Sequence, residues 1–182
     1  MSIVITGNPG VGKHTVTREI LIQIGLPIID INSVAKDAGL FEKNENTNDV
    51  EVSELKKVIK EKISIPSLIV GHLAPYVLSS NQVKRVIVLR RNPYDLVSVY
   101  KSRDYVEEKI MENAGSEILG IIAHDAIKQF GTKVFQVDVT GKSISEVGDK
   151  VLNIIKGNDK SEEVDWLGLV TKQDDLKKFF AY

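Results

Sequence analysis

Short β-branched runs alternate with helix-patterned segments along most of the chain, and this alternation restricts the fold more than any other feature. The runs fall at residues 2–6, 27–31, 67–70, 86–89 and 133–137. Two of them, Ile3-Val4-Ile5 and Val86-Ile87-Val88-Leu89, are continuously apolar, as strands covered on both faces must be. Parallel strands need crossovers, and the segments between the runs carry helical periodicity. The expected class is therefore α/β, a five-stranded parallel sheet with helices on both faces. Helix boundaries are also legible. Val16, Ile20 and Ile24 share a face, with Gly25 placed to end that helix. Asn92 and Pro93 read as an N-cap and first helical position. Ser143 and Glu146 have capping-box spacing before a helix that carries Ile144, Val147, Val151 and Ile154 inward and stops at Gly157.

A chain of 182 residues buries roughly 70% of its unfolded surface without staples. It has no cysteine, which removes disulfides, thiolate metal sites and cysteine nucleophiles and suits a reducing compartment. Its 24 basic and 25 acidic residues nearly cancel, so long-range attraction to nucleic acid has no support. The first apolar run is too short for a signal peptide, and no stretch approaches the ~20 residues of a membrane span. A soluble, cytoplasmic protein is expected. Two segments interrupt the rhythm. One lies between the second and third strands and holds a polar loop over residues 43–48, then a helix with Val52, Leu55, Ile59 and Ile63. Such an insertion is typical of a mobile substrate cover. The other is the tail after Gly157, whose six acidic and four basic residues accompany Val164, Trp166, Leu167, Leu169, Phe179, Phe180 and Tyr182. That apolar content argues against a disordered tail.

The first strand runs directly into Gly7-Asn8-Pro9-Gly10-Val11-Gly12-Lys13-His14-Thr15 and then into a helix. This is G-x-x-x-x-G-K in the strand-loop-helix context that phosphate binding requires. Glycines let backbone N–H groups converge on phosphate oxygens, the helix N-terminus contributes its dipole, and Lys13 supplies a point charge. Residues Gly10 to Thr15 are thus the candidate ATP-binding residues. The residue after the lysine is His14, where a hydroxyl commonly holds Mg²⁺, and imidazole is a poor ligand for that ion. Thr15 stands one step later, an arrangement that resembles nucleoside monophosphate kinases more than GTPases.

The order of several further strings extends the likeness. Residues 28–37 end in Ala35-Lys36-Asp37; Leu68-Ile69-Val70-Gly71-His72-Leu73 follows; then come Val86 to Arg90, Arg103-Asp104-Tyr105 with Glu108-Lys109-Ile110, Asn113 and Glu117, and Asp138 to Ser143. Over about residues 1–156 the chain resembles the atypical adenylate kinases of the isoenzyme-six type, archaeal branch, also described as ribosome-assembly ATPases. The resemblance implies a P-loop nucleoside monophosphate kinase fold, with a core over 1–157, a monophosphate-binding insertion over 31–64, a lid over 102–113 and an extension over 158–182. It also implies ATP, Mg²⁺ and AMP as ligands, ATPase activity beside the kinase reaction, and a small-subunit ribosomal protein as partner, with pre-ribosomal RNA involved indirectly.

Residue roles come from the same resemblance. Lys36 matches the basic position expected to hold the AMP phosphate. Arg103 matches an arginine that reaches the transferring phosphates, with Asp104 where the family has glycine. His72, just past the third strand at the carboxyl edge where open α/β sheets bind ligands, matches a functional histidine, so Lys13, His72 and Arg103 form the expected catalytic set. The acid usual two residues before that histidine is Val70 here, so Mg²⁺ is expected to rely on water, phosphates and Thr15, with Asp30 as a possible substitute. His124, within a long helix between Ile121 and Ile127, reads as structural. Two other functions are compatible with these residues: an ATP-gated ribosome assembly factor with little kinase activity, and a P-loop kinase for another small acceptor.

Overall fold

Strand β1 (Ser2–Thr6) is buried along its whole length and lies at the centre of the sheet. The computed structural model describes residues 1–43 and 48–180. After β1 come α1 (Lys13–Ile24), β2 (Ile28–Asp30), α2 (Ile31–Asp37), β3 (Phe41–Lys43), β4 (Asn48–Val50), α3 (Val52–Lys62), β5 (Leu68–Val70) and α4 (Ala74–Val77). The second half contributes β6 (Val83–Arg90), α5 (Pro93–Lys101), α6 (Glu107–Leu119), α7 (Ile121–Phe130), β7 (Val134–Asp138), α8 (Ile144–Lys156), α9 (Trp166–Lys172) and α10 (Leu176–Phe180). The main sheet has the order β2-β5-β1-β6-β7, and all its pairings are parallel.

Alternation along the strands sorts side chains into two apolar layers. Val4, Ile69, Val86 and Val88 face one side, where they meet Val34, Leu55, Ile59, Val77 and Phe130. Ile3, Ile5, Leu68, Ile87 and Leu89 face the other, against Val16, Ile20, Leu96, Tyr100, Val147 and Val151. The continuously apolar runs are thus explained by helices on both faces. The parallel strands also end together, so the loops after β1, β2, β5 and β6 share one edge of the sheet.

Four details differ from the sequence reading. Strand β6 begins at Val83 rather than 86; Lys84 and Arg85 hid its start, although Val83 is buried and the Arg85 guanidinium lies 4.9 Å over the Phe135 ring. Ile144 is not inward but half exposed, because it occupies the first turn of α8, ahead of the buried Val147, Val151 and Ile154. The long helix expected around His124 is broken at Gly120, which adopts φ 64 and separates α6 from α7; His124 lies on the exposed surface of α7 and has no core role. An antiparallel pair, β3 with β4, flanks the expected polar loop, whose residues 44–47 lie outside the described residues.

The extension lies against its own core. Glu162 N–H donates to Gln136 O at 2.9 Å, and the Ser161 hydroxyl accepts from Gln136 N–H at 2.9 Å, which covers the otherwise open edge of β7. Val170 and Phe179 are buried with Ala114 and Ile118 of α6. Tyr94 packs edge-on against Phe179 at 5.3 Å and donates its hydroxyl proton to Asp175 Oδ2 at 2.8 Å.

Candidate active site

The loop from Gly7 to Gly12 is shaped by what surrounds it. Gly7 has φ +133, and a Cβ there would lie 2.4 Å from Leu89 O, so no other residue fits. Gly12 has φ +94 with nothing within 4 Å of a built Cβ, so there the backbone faces open space. Between them, Pro9 O accepts from the Tyr100 hydroxyl at 2.7 Å and Asn8 O accepts from Lys13 Nζ at 2.8 Å. The Asn8 side chain is fixed at both ends: its amide donates to Glu117 Oε2 at 2.7 Å, and its oxygen accepts from Ser116 Oγ at 3.0 Å. The loop is thus held open from behind by α5 and α6 and presents its glycine face to a cavity.

That cavity measures about 1040 Å³. Gly10, Gly12, Lys13, His14, Thr15, His72 and Arg103 all line it, although they come from three separate stretches of sequence. Two expected residues do not. Val11 is buried, its side chain in the core beside Ile5 and Leu89, so only its backbone is available to a ligand. Lys36 is exposed on α2, about one turn beyond Asn32, which does line the cavity and shares its helix face. Arg103 sits in the turn between α5 and α6, where Asp104 adopts φ 55. Aspartate tolerates this left-handed conformation better than most residues, which explains how it can stand where the resemblance expects glycine.

Two groups here are electrostatically displaced. Burial, reinforced by the Arg103 charge and opposed by Glu117 and Asp30, lowers the Lys13 pKa to about 8. Burial, with Lys13 nearby, lowers His72 to about 4. His72 is therefore neutral at pH 7 and can accept or donate a hydrogen bond without adding charge. His14 Nε2 lies 2.7 Å from Asp30 Oδ2, while Asp30 Oδ1 caps α2 by accepting from the N–H groups of Asn32 and Ser33 at 2.9 and 3.1 Å. Both Asp30 oxygens are thus engaged, and this acid is a cap rather than a ready metal ligand.

The donor set fits a polyphosphate. Lys13, Arg18, Arg103 and Lys109 line the cavity against one carboxylate, Glu112. Among the described residues no group of three His, Cys, Asp or Glu side chains could hold a metal ion. A Mg²⁺ that keeps most of its waters and takes its oxygens from phosphate needs no such group, and the exposed Thr15 hydroxyl is the protein oxygen beside Lys13 that suits it.

Several lining residues carried no distinct signal. Asn8 lies at a variable position of the loop motif, and Asn32 and Tyr76 sit in ordinary helical contexts. Asn113 on the cavity wall and the buried Glu117 behind it did offer one: they stand four apart on a helix, with Glu117 at a position that the apolar period assigns to the interior, and a polar residue there needs a partner.

Strand, glycine loop, buried lysine and helix together define a P-loop protein of the kinase type. A profile of the family described as "AAA domain" matches residues 3–120, and the chain belongs to that family. Among relatives, it is 31% identical over 183 residues to the "Putative adenylate kinase" of Thermococcus onnurineus (strain NA1), covering 100% of this chain and 97% of that protein. It is 33% identical over 169 residues to the protein of the same name in Pyrococcus furiosus, covering 91% of each. The fold is shared with shikimate kinase from Acinetobacter baumannii in complex with shikimate, at TM-score 0.63 and 19% identity, over 87% of this chain and 94% of that one. Among the described residues no helix is long and apolar enough to cross a membrane.

Proposed function

We propose that the protein is an adenylate kinase, transferring the γ-phosphoryl group of ATP to AMP to give two ADP, with slower ATP hydrolysis. The observation that carries this reading is the convergence of Lys13, His72 and Arg103 on one cavity beside a helix, α2, that belongs to the insertion between β2 and β5. In this reading the cradle from Gly10 to Thr15 holds the ATP phosphates, residues 31–64 bind the monophosphate with Lys36 reaching its phosphate, and residues 102–113 close as a lid that brings Arg103 to the transferring group. Mg²⁺, held through phosphates, water and Thr15, supplies charge neutralisation. Lys13 and Arg103 balance the charge that spreads over the phosphoryl oxygens, and neutral His72 orients a phosphate oxygen or water. Closure excludes water and favours AMP over hydrolysis.

Two features support a second reading, an ATP-gated factor in small ribosomal subunit maturation that binds a small-subunit ribosomal protein. One is the resemblance noted above. The other is Val70, buried at the end of β5 where the resembling family places an acid, which would weaken metal-assisted transfer. Calorimetry with ATP joined to AMP through a polyphosphate separates the two. Tight binding that Lys36→Ala weakens at least tenfold supports the kinase; binding no tighter than that of ATP alone, together with capture of the ribosomal protein, supports the assembly factor.

A further inference from the structure

Glu117 is fully buried in α6 and gathers contacts from four residues in three parts of the chain. Its Oε2 accepts from Asn8 Nδ2 at 2.7 Å. Its Oε1 accepts from Arg90 Nε at 2.8 Å, from Arg91 N–H at 3.1 Å and from the Trp166 indole N–H at 3.0 Å. A second Arg90 hydrogen bond ends on the Glu117 main-chain carbonyl at 2.8 Å. Asn8 O in turn accepts from Lys13 Nζ at 2.8 Å. Three hydrogen bonds therefore run in series from the extension, through Trp166, Glu117 and Asn8, to the ammonium of the cradle.

A carboxylate that only balanced Arg90 would need neither end of this series. Four donors on one carboxylate fix its position tightly, and whatever it holds is fixed with it. We infer that Glu117 is a positioning residue for the phosphate cradle, and that the C-terminal extension, through Trp166, forms part of the nucleotide-binding apparatus. One of the three Lys13 N–H donors is directed to Asn8 O and not to a phosphate. When a ligand draws the ammonium away, Asn8 loses that donor and its altered position passes to Glu117 and on to the indole. The same helix carries Lys109, Glu112 and Asn113 on the cavity wall nearer its N-terminus, so ligand and extension act on one rigid element. This inference rests on nucleotide binding at the cradle, and its test distinguishes the two.

Trp166 is the single tryptophan, so intrinsic emission reports on the bond to Glu117. The full-length protein is titrated with MgADP while calorimetry and emission are followed in parallel. Emission should change with the calorimetric midpoint. Asn8→Ala should still bind ADP, more weakly, with emission flat. Trp166→Phe keeps an aromatic ring at this position but lacks the N–H, and its Kd for ADP should rise at least threefold. A purely structural role for Trp166 would lower the melting temperature and leave the Kd of the folded protein unchanged. Calorimetric binding with unchanged emission, or a wild-type Kd in Trp166→Phe, overturns the coupling; absence of calorimetric binding overturns the cradle itself and the coupling with it.

Discussion

Replacing Lys13 with methionine separates what this residue does for a ligand from what it does to the fold, because the two effects have opposite signs. Burial beside Arg103 lowers its pKa from 10.5 to about 8. At ~1.36 kcal/mol per pH unit, keeping the ammonium charged in the folded state costs about 3 kcal/mol. The penalty is complete below pH ~8 and vanishes as pH rises toward 10.5, the value in the unfolded chain. Methionine removes it, but also removes the hydrogen bond to Asn8 O, worth ~1 kcal/mol, and leaves that carbonyl unpaired. The net gain at pH 7 is ~1–2 kcal/mol, a rise in Tm of ~2–8 °C for a chain of this size. The same change deletes a charge-assisted phosphate contact of ~1.5–3 kcal/mol, so ATP should bind about 10- to 150-fold more weakly. Thermal melts at pH 7, with and without MgATP, read both effects. The variant should melt higher than wild type alone and gain little from MgATP, whereas wild type gains by mass action. A lower melting temperature without ligand, or a wild-type response to MgATP, would refute the reasoning.

His72→Ala should lower turnover at least tenfold while ATP affinity changes by less than about threefold, since a neutral imidazole lends no charge to binding; nucleotide titration and steady-state rates decide this. Because its folded pKa is lowered to about 4 from 6.5, wild-type stability should fall as pH drops through that window, and urea melts of His72→Ala should show a shallower decline. Gly7→Ala sets a Cβ 2.4 Å from Leu89 O at φ +133 and should destabilise by ~2–4 kcal/mol, seen as a lower urea midpoint at unchanged m. Truncation after Gly157 uncovers the β7 edge and strips Val170 and Phe179 from Ala114 and Ile118, so the shortened protein should melt lower; an unchanged Tm would show that the extension contributes nothing to the core.

The sheet was legible because its central strands, covered on both faces, are apolar without alternation, and because several of the helices between strands begin or end on a recognisable cap. Asn92 does accept from Tyr94 N–H, Ser143 and Glu146 do form a capping box, and Gly25 and Gly157 do take left-handed conformations. That pattern failed where charge masked burial. Lys84 and Arg85 concealed the start of β6, and Gly120, which ends α6 at φ 64, interrupts the helix expected around His124. The cradle was legible because its chemistry is contiguous in sequence. Its supports were not, since Asn8, Tyr100, Ser116 and Glu117 meet only through tertiary contact. Asp30 illustrates the limit of residue type as a guide: a carboxylate at a strand end could serve a metal, yet its oxygens are taken by the α2 cap and by His14.

Adenylate kinase activity requires that one cavity bring ATP and a nucleoside monophosphate together. Phosphorus NMR of the purified full-length protein with ATP, AMP and Mg²⁺ tests it directly. Two ADP should form for each ATP consumed, Lys13→Met should lose that reaction, and Lys36→Ala should raise the KM for AMP at least tenfold with the KM for ATP nearly unchanged. Release of inorganic phosphate at a rate indifferent to AMP, with no ADP formed beyond one per ATP, would contradict adenylate kinase activity.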